Sequence, residues 1–367
     1  MSLSLCLIVK NEENNIKRCL DSAYRWVDEI VIADTGSEDL TRESCLSFGA
    51  RVFDFEWKDD FSLARNYILE KASGDWILFL DADEELSSDD FALIKECLNG
   101  TEANSFLIKT IHLMGKAPHS PIRAFRTFEP RLFRRGAGFK YLGKIRESLC
   151  DSDKQPVNKC VKVLENVLIK HHGYTFESRK AKGGRNISLL QNELKRDEND
   201  GFTLYNLAFE YFAMGEYEKA LSLLLRSAEC FILQYQKPPA NLYKLKFEAM
   251  LNLGEISRVY GLAEKAIRLY PDYVDLHFYK ALSLYANGRY KEAAEGFAYC
   301  LLLGEGHKDY ITSCGYGACL ALYLLGLSYE KSGDAKHSEE LFSQAASVCP
   351  DPDALKEEVN KLPGIKI

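Results

Sequence analysis

The chain has 367 residues, 46% of them apolar and 28% charged, with 20 Tyr and 20 Phe, so it can bury more than one core and is unlike a disordered segment. A formal net charge of −7 argues against a duplex nucleic-acid binder and favours an enzyme that meets phosphates through a local pocket or a metal. Eleven cysteines without a CxxC pair or a zinc-type Cys/His spacing read as reduced, mostly buried thiols of a cytoplasmic protein.

Ser4 to Val9 reads as a first buried strand, and Asn11-Glu12-Glu13-Asn14 opens a helix with Ile16, Cys19, Leu20 and Ala23 on one face. The opening apolar run is only a strand's length and ends in Lys10-Asn11-Glu12-Glu13, so it is expected to be a strand and not a signal peptide. Val27 to Ala33 is a second buried strand ending at Asp34-Thr35-Gly36-Ser37, a helix covers Asp39 to Phe48, and Ala50 to Phe55 is a third strand. Buried strands alternating with short helices predict a doubly wound, mainly parallel α/β sheet. No GxGxxG follows the first strand, which removes a dinucleotide-binding dehydrogenase.

Gly74 to Leu80 reads as a strand buried on both faces, and Asp81-Ala82-Asp83-Glu84 stands where it ends. Ligands of open α/β sheets bind beyond the carboxyl ends of the strands, and two carboxylates one residue apart can share a hard divalent cation and a ligand hydroxyl. That chemistry suits a nucleotide diphosphate with Mg²⁺ or Mn²⁺; a solvated turn into the next helix, Ser88 to Leu98, accounts for the same spacing. Asp34 also occupies a strand end, where it can accept a hydrogen bond from a base imide or a ribose hydroxyl, or cap the following helix. Asp60 or Ser62 can cap a further helix, whose first turn carries Arg65, a place for a ligand anion or a surface ion pair.

Four blocks, Leu7 to Glu13, Val27 to Ser37, Asp60 to Asn66 and Gly74 to Glu84, together resemble the family 2 glycosyltransferases, which have the GT-A fold. The resemblance implies an inverting transferase that uses a nucleotide sugar, usually a UDP-sugar, and a divalent metal, Mn²⁺ or Mg²⁺. Carried over by position, it implies donor binding by Lys10, Glu12, Asp34, Arg65, Asp81 and Asp83, with Asp34 reading the base and Asp83 a metal ligand.

After a strand from Ser105 to Leu113, the stretch from Gly115 to Pro130 loses periodicity and reads as a mobile, acceptor-side loop or a charged surface loop, with His112, His119, Arg123 and Arg126 in or beside it. Arg131 to Arg135 alternates as a strand and leads to Arg146-Glu147, where the family often has a His-Glu pair. Glu147 is the candidate general base for the acceptor. His171-His172-Gly173-Tyr174 follows a strand from Lys159 to Ile169; the resemblance puts His171 at the metal beside Asp83, with His172 as competitor and a structural His pair as the other reading. The basic segment Ser178 to Asn186 either closes over a diphosphate or is a solvated linker.

From Gly201 the sequence turns helical. Small residues and prolines fall in the roughly 34-residue tetratricopeptide register, with Gly215, Gly254, Gly288 and Gly333 between helices and Pro271 and Pro350 after them, so about four repeats form an α-solenoid. The expected division is a GT-A catalytic domain over 1–176, a basic linker and helix over 177–200, and the solenoid over 201–367. This combination resembles the sublancin-type peptide glycosyltransferases, which implies transfer of a hexose or N-acetylhexosamine to Cys or Ser/Thr of a peptide or protein, and a homodimer joined through the helical half. Two other readings stand beside it: a transferase for lipopolysaccharide or another surface glycan, and a tetratricopeptide scaffold with a vestigial sugar-nucleotide domain. No integral membrane segment is expected, because the longest apolar stretch, Ala318 to Leu327, is about half a membrane span.

Overall fold

The computed structural model describes residues 1–114, 119–157, 161–174, 176–362 and 365, and for 174 and 176–182 the backbone alone. The chain divides into two compact units, one of residues 1–112 and 128–173, the other of 113–127 and 174–367.

The first unit holds strands β1 (Leu3–Val9), β2 (Glu29–Asp34), β3 (Arg51–Asp54), β4 (Trp76–Phe79), β5 (Glu84–Glu85) and β6 (Ser105–Met114). β7 (Ala124–Arg134), the short hairpin β8 (Lys140–Leu142) and β9 (Ser148–Cys150), and β10 (Val161–Tyr174) complete it, and both β6 and β7 run into residues of the second unit. The main sheet has the order β3-β2-β1-β4-β7-β6-β10-β5. Its first four strands are parallel, β7 runs antiparallel to β4, and β5 antiparallel to β10. The predicted GT-A-like α/β fold is therefore present as a mixed sheet.

Helices α1 (Ile16–Ala23), α2 (Thr41–Ser47), α3 (Phe61–Lys71) and α4 (Ser88–Leu98) connect the strands. The i, i+3, i+4, i+7 spacing of Ile16, Cys19, Leu20 and Ala23 predicted one buried face, and all four are fully buried. Asp60 caps α3 by accepting from Leu63 N at 3.1 Å and from Ser62 Oγ at 2.7 Å. Ser87 and Asp90 form a reciprocal capping box at the start of α4, and Asp90 Oδ1 also accepts from Leu168 N in β10 at 3.2 Å. The caps thus set where each helix begins and tie it to the sheet.

Two stretches differ from expectation. β7 starts at Ala124, inside the stretch read as a loop, because Pro130 cannot donate to a ladder and its presence argues against an interior strand. β10 continues through His171 and His172 to Tyr174, where polar residues hide the strand signal; antiparallel pairing of Lys170 with Glu85 and His171 with Glu84 holds it. Residues 115–118, and 159–160 of the predicted strand, lie outside the described residues.

The second unit begins its helical part with α5 (Phe176–Leu194), which contains the basic segment; the side chains of 178–182 lie outside the described residues. Helix pairs follow: α6 (Gly201–Ala213) with α7 (Tyr217–Leu233), α8 (Ala240–Asn252) with α9 (Val259–Leu269), and α10 (Val274–Ala286) with α11 (Tyr290–Leu303). The two-residue strand β11 (Thr312–Ser313) precedes α12 (Cys319–Lys331) with α13 (Ala335–Val348), and α14 (Pro352–Lys361) closes the array. Gly215, Gly254, Gly288 and Gly333 occupy the turn within each pair at φ of 82°, 75°, 75° and 87°, a left-handed conformation that ends a helix without a Cβ penalty. Gly296 serves a different need: a Cβ there would stand 2.8 Å from Ala281 Cβ, so α10 and α11 approach as closely as they do because it is absent.

The insert before α12 is seated on the repeats rather than loose. Lys244 and Asp275, both buried, pair at 2.7 Å, and Lys244 also donates to Ile311 O and Ser313 Oγ. Tyr273 Oη donates to Ile311 O at 2.6 Å, and β11 pairs with Phe125 and Arg126. Arg123 joins Glu357 and Glu358 of α14, so residues 123–126 are anchored within this helical unit.

Candidate functional site

The parallel strands deliver the site's residues in register. Val9 pairs with Asp34, and Cys6 with Phe79, so Lys10, Asp34 and Asp81 follow the ends of neighbouring strands. Asn11, at φ 53°, stitches the first two loops together: its Oδ1 accepts from Glu38 N and its N–H donates to Ser37 Oγ. Glu12 donates its N–H to Thr41 Oγ1 at 2.7 Å and accepts from Asn15 Nδ2 at 2.8 Å, while Lys10 is exposed. Asp34 is buried, and its Oδ1 accepts from Gly36 N and Ser37 N at 3.1 and 2.9 Å; it closes a turn and leaves the start of α2 to Leu40. Its Oδ2 lies 3.7 Å from Arg42 Nη1.

Arg65 is mostly buried rather than a surface cation. Its Nη2 donates to Asp81 Oδ1 at 3.0 Å, its Nε pairs with Glu147, and its guanidinium lies 4.4 Å from the Phe79 ring centroid and 5.1 Å from that of Tyr141. Asn66, the next residue on α3, pins Tyr141 by exchanging two hydrogen bonds of 2.8 Å with its backbone. Arg65 Nη1 is buried with no hydrogen-bond partner among the described residues, as is Nε of Arg131. Such orphaned donors are costly unless a ligand or water meets them.

Arg131 joins these residues, and sequence reasoning missed it as a site candidate: the sequence reads it as the start of the alternating strand that leads to Arg146-Glu147. It bonds Glu84 Oε1 at 2.6 Å and Glu129 Oε2 at 2.8 Å, and lies 3.3 Å from Asp81 Oδ2. A cation in a strand adjoining the buried β4 was the available signal, since such a charge needs acidic partners. Burial raises the Asp81 carboxyl, but Arg65 and Arg131 outweigh it and hold Asp81 well below the usual carboxylate range. Burial pushes Glu84 up to about 7, against the pull of Arg131 and with the push of Asp81.

The strand pairing separates the two adjacent histidines by alternation. His171 Nε2 lies 3.2 Å from Asp83 Oδ1, whereas His172 Nε2 lies 3.3 Å from Glu85 Oε1. Burial lowers the His171 imidazole, yet its contact with Asp83 and the charges of Asp83, Glu84 and Asp81 raise it to about 9. Burial and the neighbouring His171 together push His112 down to about 3.

Gly173 lets this pair pack directly against the strand backbone. A Cβ there would stand 2.1 Å from Asp83 Oδ2 and 2.7 Å from His171 Nε2. One carboxylate and one imidazole that converge to 3.2 Å are a donor set that fits Mn²⁺ or Mg²⁺. Among the described residues no three His, Cys, Asp or Glu side chains form a ready-made cage. The arrangement therefore fits a cation that completes its shell with substrate phosphates and water, as Mg²⁺ commonly does.

Residues 4–135 match the family described as Glycosyl transferase family 2. A TPR repeat-containing protein of Synechococcus elongatus is 30% identical over 272 residues, 73% of this chain and 64% of that protein. The SPbeta prophage-derived glycosyltransferase SunS of Bacillus subtilis is 29% identical over 229 residues, 60% of this chain and 52% of that protein. The chain thus spans less than two thirds of the length of either relative. Among solved structures, YrrB, a TPR protein with an unusual peptide-binding site, covers 50% of this chain and 87% of its own at 17% identity and a TM-score of 0.40. No helix among the described residues is long and apolar enough to cross a membrane.

Proposed function

We propose, from the premise that this chain carries a family 2 glycosyltransferase domain followed by tetratricopeptide-like helices, that it moves a hexose or N-acetylhexosamine from a UDP-sugar to Cys or Ser/Thr of a peptide or protein. The observation that carries the reading is the convergence of Asp83 and His171, packed against Gly173, beside the strand ends where Asp34 and Asp81 stand. Asp83 and His171 would hold Mn²⁺ or Mg²⁺, which when bound neutralises charge on a departing diphosphate.

Within that scheme Asp34 accepts from the base or ribose, and Lys10 and Glu12 border the donor from the first loop. The unpartnered Arg65 Nη1 donates to an anionic or hydroxyl oxygen of the donor. Asp81, held ionised by two arginines, fixes Arg65 and accepts a sugar hydroxyl. Glu147 takes the acceptor proton from the face opposite the leaving group, giving inversion; it must first exchange its contact with Arg65 for the acceptor, because the Oε1 that would take the proton is occupied by Arg65 Nε. A peptide acceptor is favoured over a glycan by the repeat array, since stacked repeats offer extended surfaces for polypeptides. A homodimer through these helices, and action in the cytoplasm, belong to the same reading.

The test is intact-mass analysis of Cys- and Ser-containing peptides after incubation with a panel of UDP-sugars and Mn²⁺. Wild type should add one sugar and Asp83→Asn none, with circular dichroism unchanged. Equal transfer by both forms would remove Asp83 from the chemistry, and no stabilisation of wild type by UDP plus Mn²⁺ would overturn the transferase reading.

A further inference from the structure

Behind the Asp83 and His171 pair stands a second histidine from a different strand. His112, near the end of β6 and 3% exposed, places its Nδ1 3.0 Å from His171 Nδ1, with ring centroids 4.9 Å apart and planes tilted by 54°. Between two ring nitrogens at that distance, one carries the proton and the other accepts it. The remaining nitrogen of His171, Nε2, is the one beside Asp83 and Gly173. For Nε2 to present a lone pair to a cation, the His171 proton must sit on Nδ1, and the acceptor it meets is His112 Nδ1. Glu84 Oε1 is the competing acceptor, but at 3.6 Å it is beyond hydrogen-bond range.

The other side of His112 faces charge as well. Its Nε2 lies 3.8 Å from Glu129 Oε1, and Glu129 is held by Arg131 at 2.8 Å. A line of polar contacts therefore runs from Arg131 through Glu129 and His112 to His171 and Asp83, joining β7, β6 and β10.

We propose that His112 is a positioning residue for the cation site: it orients the His171 ring and holds its proton on Nδ1, so that the lone pair of Nε2 is turned to the side of Asp83. This rests on the reading of Asp83 and His171 as the metal ligands. Partners of this kind fix the tautomer of a ligating histidine, and their loss commonly weakens metal binding by about 10- to 100-fold.

The experiment is calorimetric titration of Mn²⁺, alone and with UDP, into the full chain and its Asp83→Asn, His112→Leu and His112→Asn forms, with thermal midpoints recorded before metal is added. Asp83→Asn should lose measurable Mn²⁺ binding, and His112→Leu should weaken it about 10- to 100-fold. His112→Asn, whose amide oxygen can occupy the place of Nδ1, should stay within about threefold of wild type. Should His112→Leu not fold, His112→Gln replaces it, because its oxygen reaches the place of Nε2 instead; it should weaken binding where Asn does not. Wild-type affinity in the Leu or Gln form, with binding lost in Asp83→Asn, overturns the role of His112 and leaves the metal site intact. Binding absent from wild type, or undiminished in Asp83→Asn, overturns the metal site and the role of His112 with it.

Discussion

Gly173→Ala is the smallest change that tests the site, because it adds one methyl group and removes nothing. The backbone at Gly173 is not left-handed, so the substitution carries no φ strain, but its Cβ would stand 2.1 Å from Asp83 Oδ2 and 2.7 Å from His171 Nε2. An ordinary carbon-oxygen contact is about 3.4 Å, so the Asp83 carboxylate must retreat by about 1.3 Å or the strand must shift. Asp83 is 5% exposed and cannot swing into solvent without disturbing its neighbours. Overpacking of this kind costs about 1–3 kcal/mol, which leaves a typical domain folded. A misplacement near 1 Å in a catalytic constellation costs about 100-fold in rate. The variant should therefore melt several degrees lower, lose sugar transfer by about 100-fold or more, and bind Mn²⁺ weakly by calorimetry. Wild-type turnover and Mn²⁺ affinity in Gly173→Ala would refute the argument that the Asp83 and His171 pair holds the cation.

Further outcomes follow from the same geometry. Arg65→Met would leave Asp81 and Glu147 without their shared cation; about 3–5 kcal/mol of stability should be lost in urea melts, and Arg65→Lys, which cannot bond both acids while stacking on Phe79, should recover only part of it. Glu29 accepts from Ser4 Oγ, Ser73 N and Gly74 N; burial raises its carboxyl, but these bonds outweigh it and hold it at about 2. A folded value below the unfolded value of about 4.3 means that its contribution is complete above that pH and disappears as pH falls towards 2. Glu29→Gln should thus be less stable than wild type by on the order of 2 kcal/mol at pH 7, with the gap shrinking at pH 3; a gap independent of pH would count against the hydrogen-bond account. In the helical unit, Lys244→Met strands the fully buried Asp275 and should cost about 3–5 kcal/mol, read by urea unfolding; a loss below about 1 kcal/mol would show that Ser313 N alone satisfies Asp275.

Periodicity and end signals made much of the fold legible. The apolar runs before Asp34 and Asp81, the face made by Ile16, Cys19, Leu20 and Ala23, and the Asp60 cap depend on neighbours within a few residues. The turn glycines at 215, 254, 288 and 333 belong to the same class, because helix termination is a local backbone requirement. For this reason the strand-end acids and the helix pairs could be located before any coordinates. The part of β7 before Arg131 and the end of β10 from His171 to Tyr174 could not, since their polar residues and Pro130 carry no strand pattern and only pairing with distant segments holds them.

The linear sequence determined which residue types stand at the ends of the parallel strands, and it left Arg65 as either a ligand cation or a surface pair and His171 and His172 as rivals. Tertiary structure gives each of them different neighbours. Alternation in β10 turns His171 to Asp83 and His172 to Glu85, and packing of α3 against the sheet seats Arg65 between Asp81 and Glu147. The contacts of Arg131 with Glu84 and of His112 with His171 span 47 and 59 residues. Hydrogen bonds and charges act through space over a few ångströms, so partners that far apart in the chain leave no spacing to read until the sheet brings their strands together.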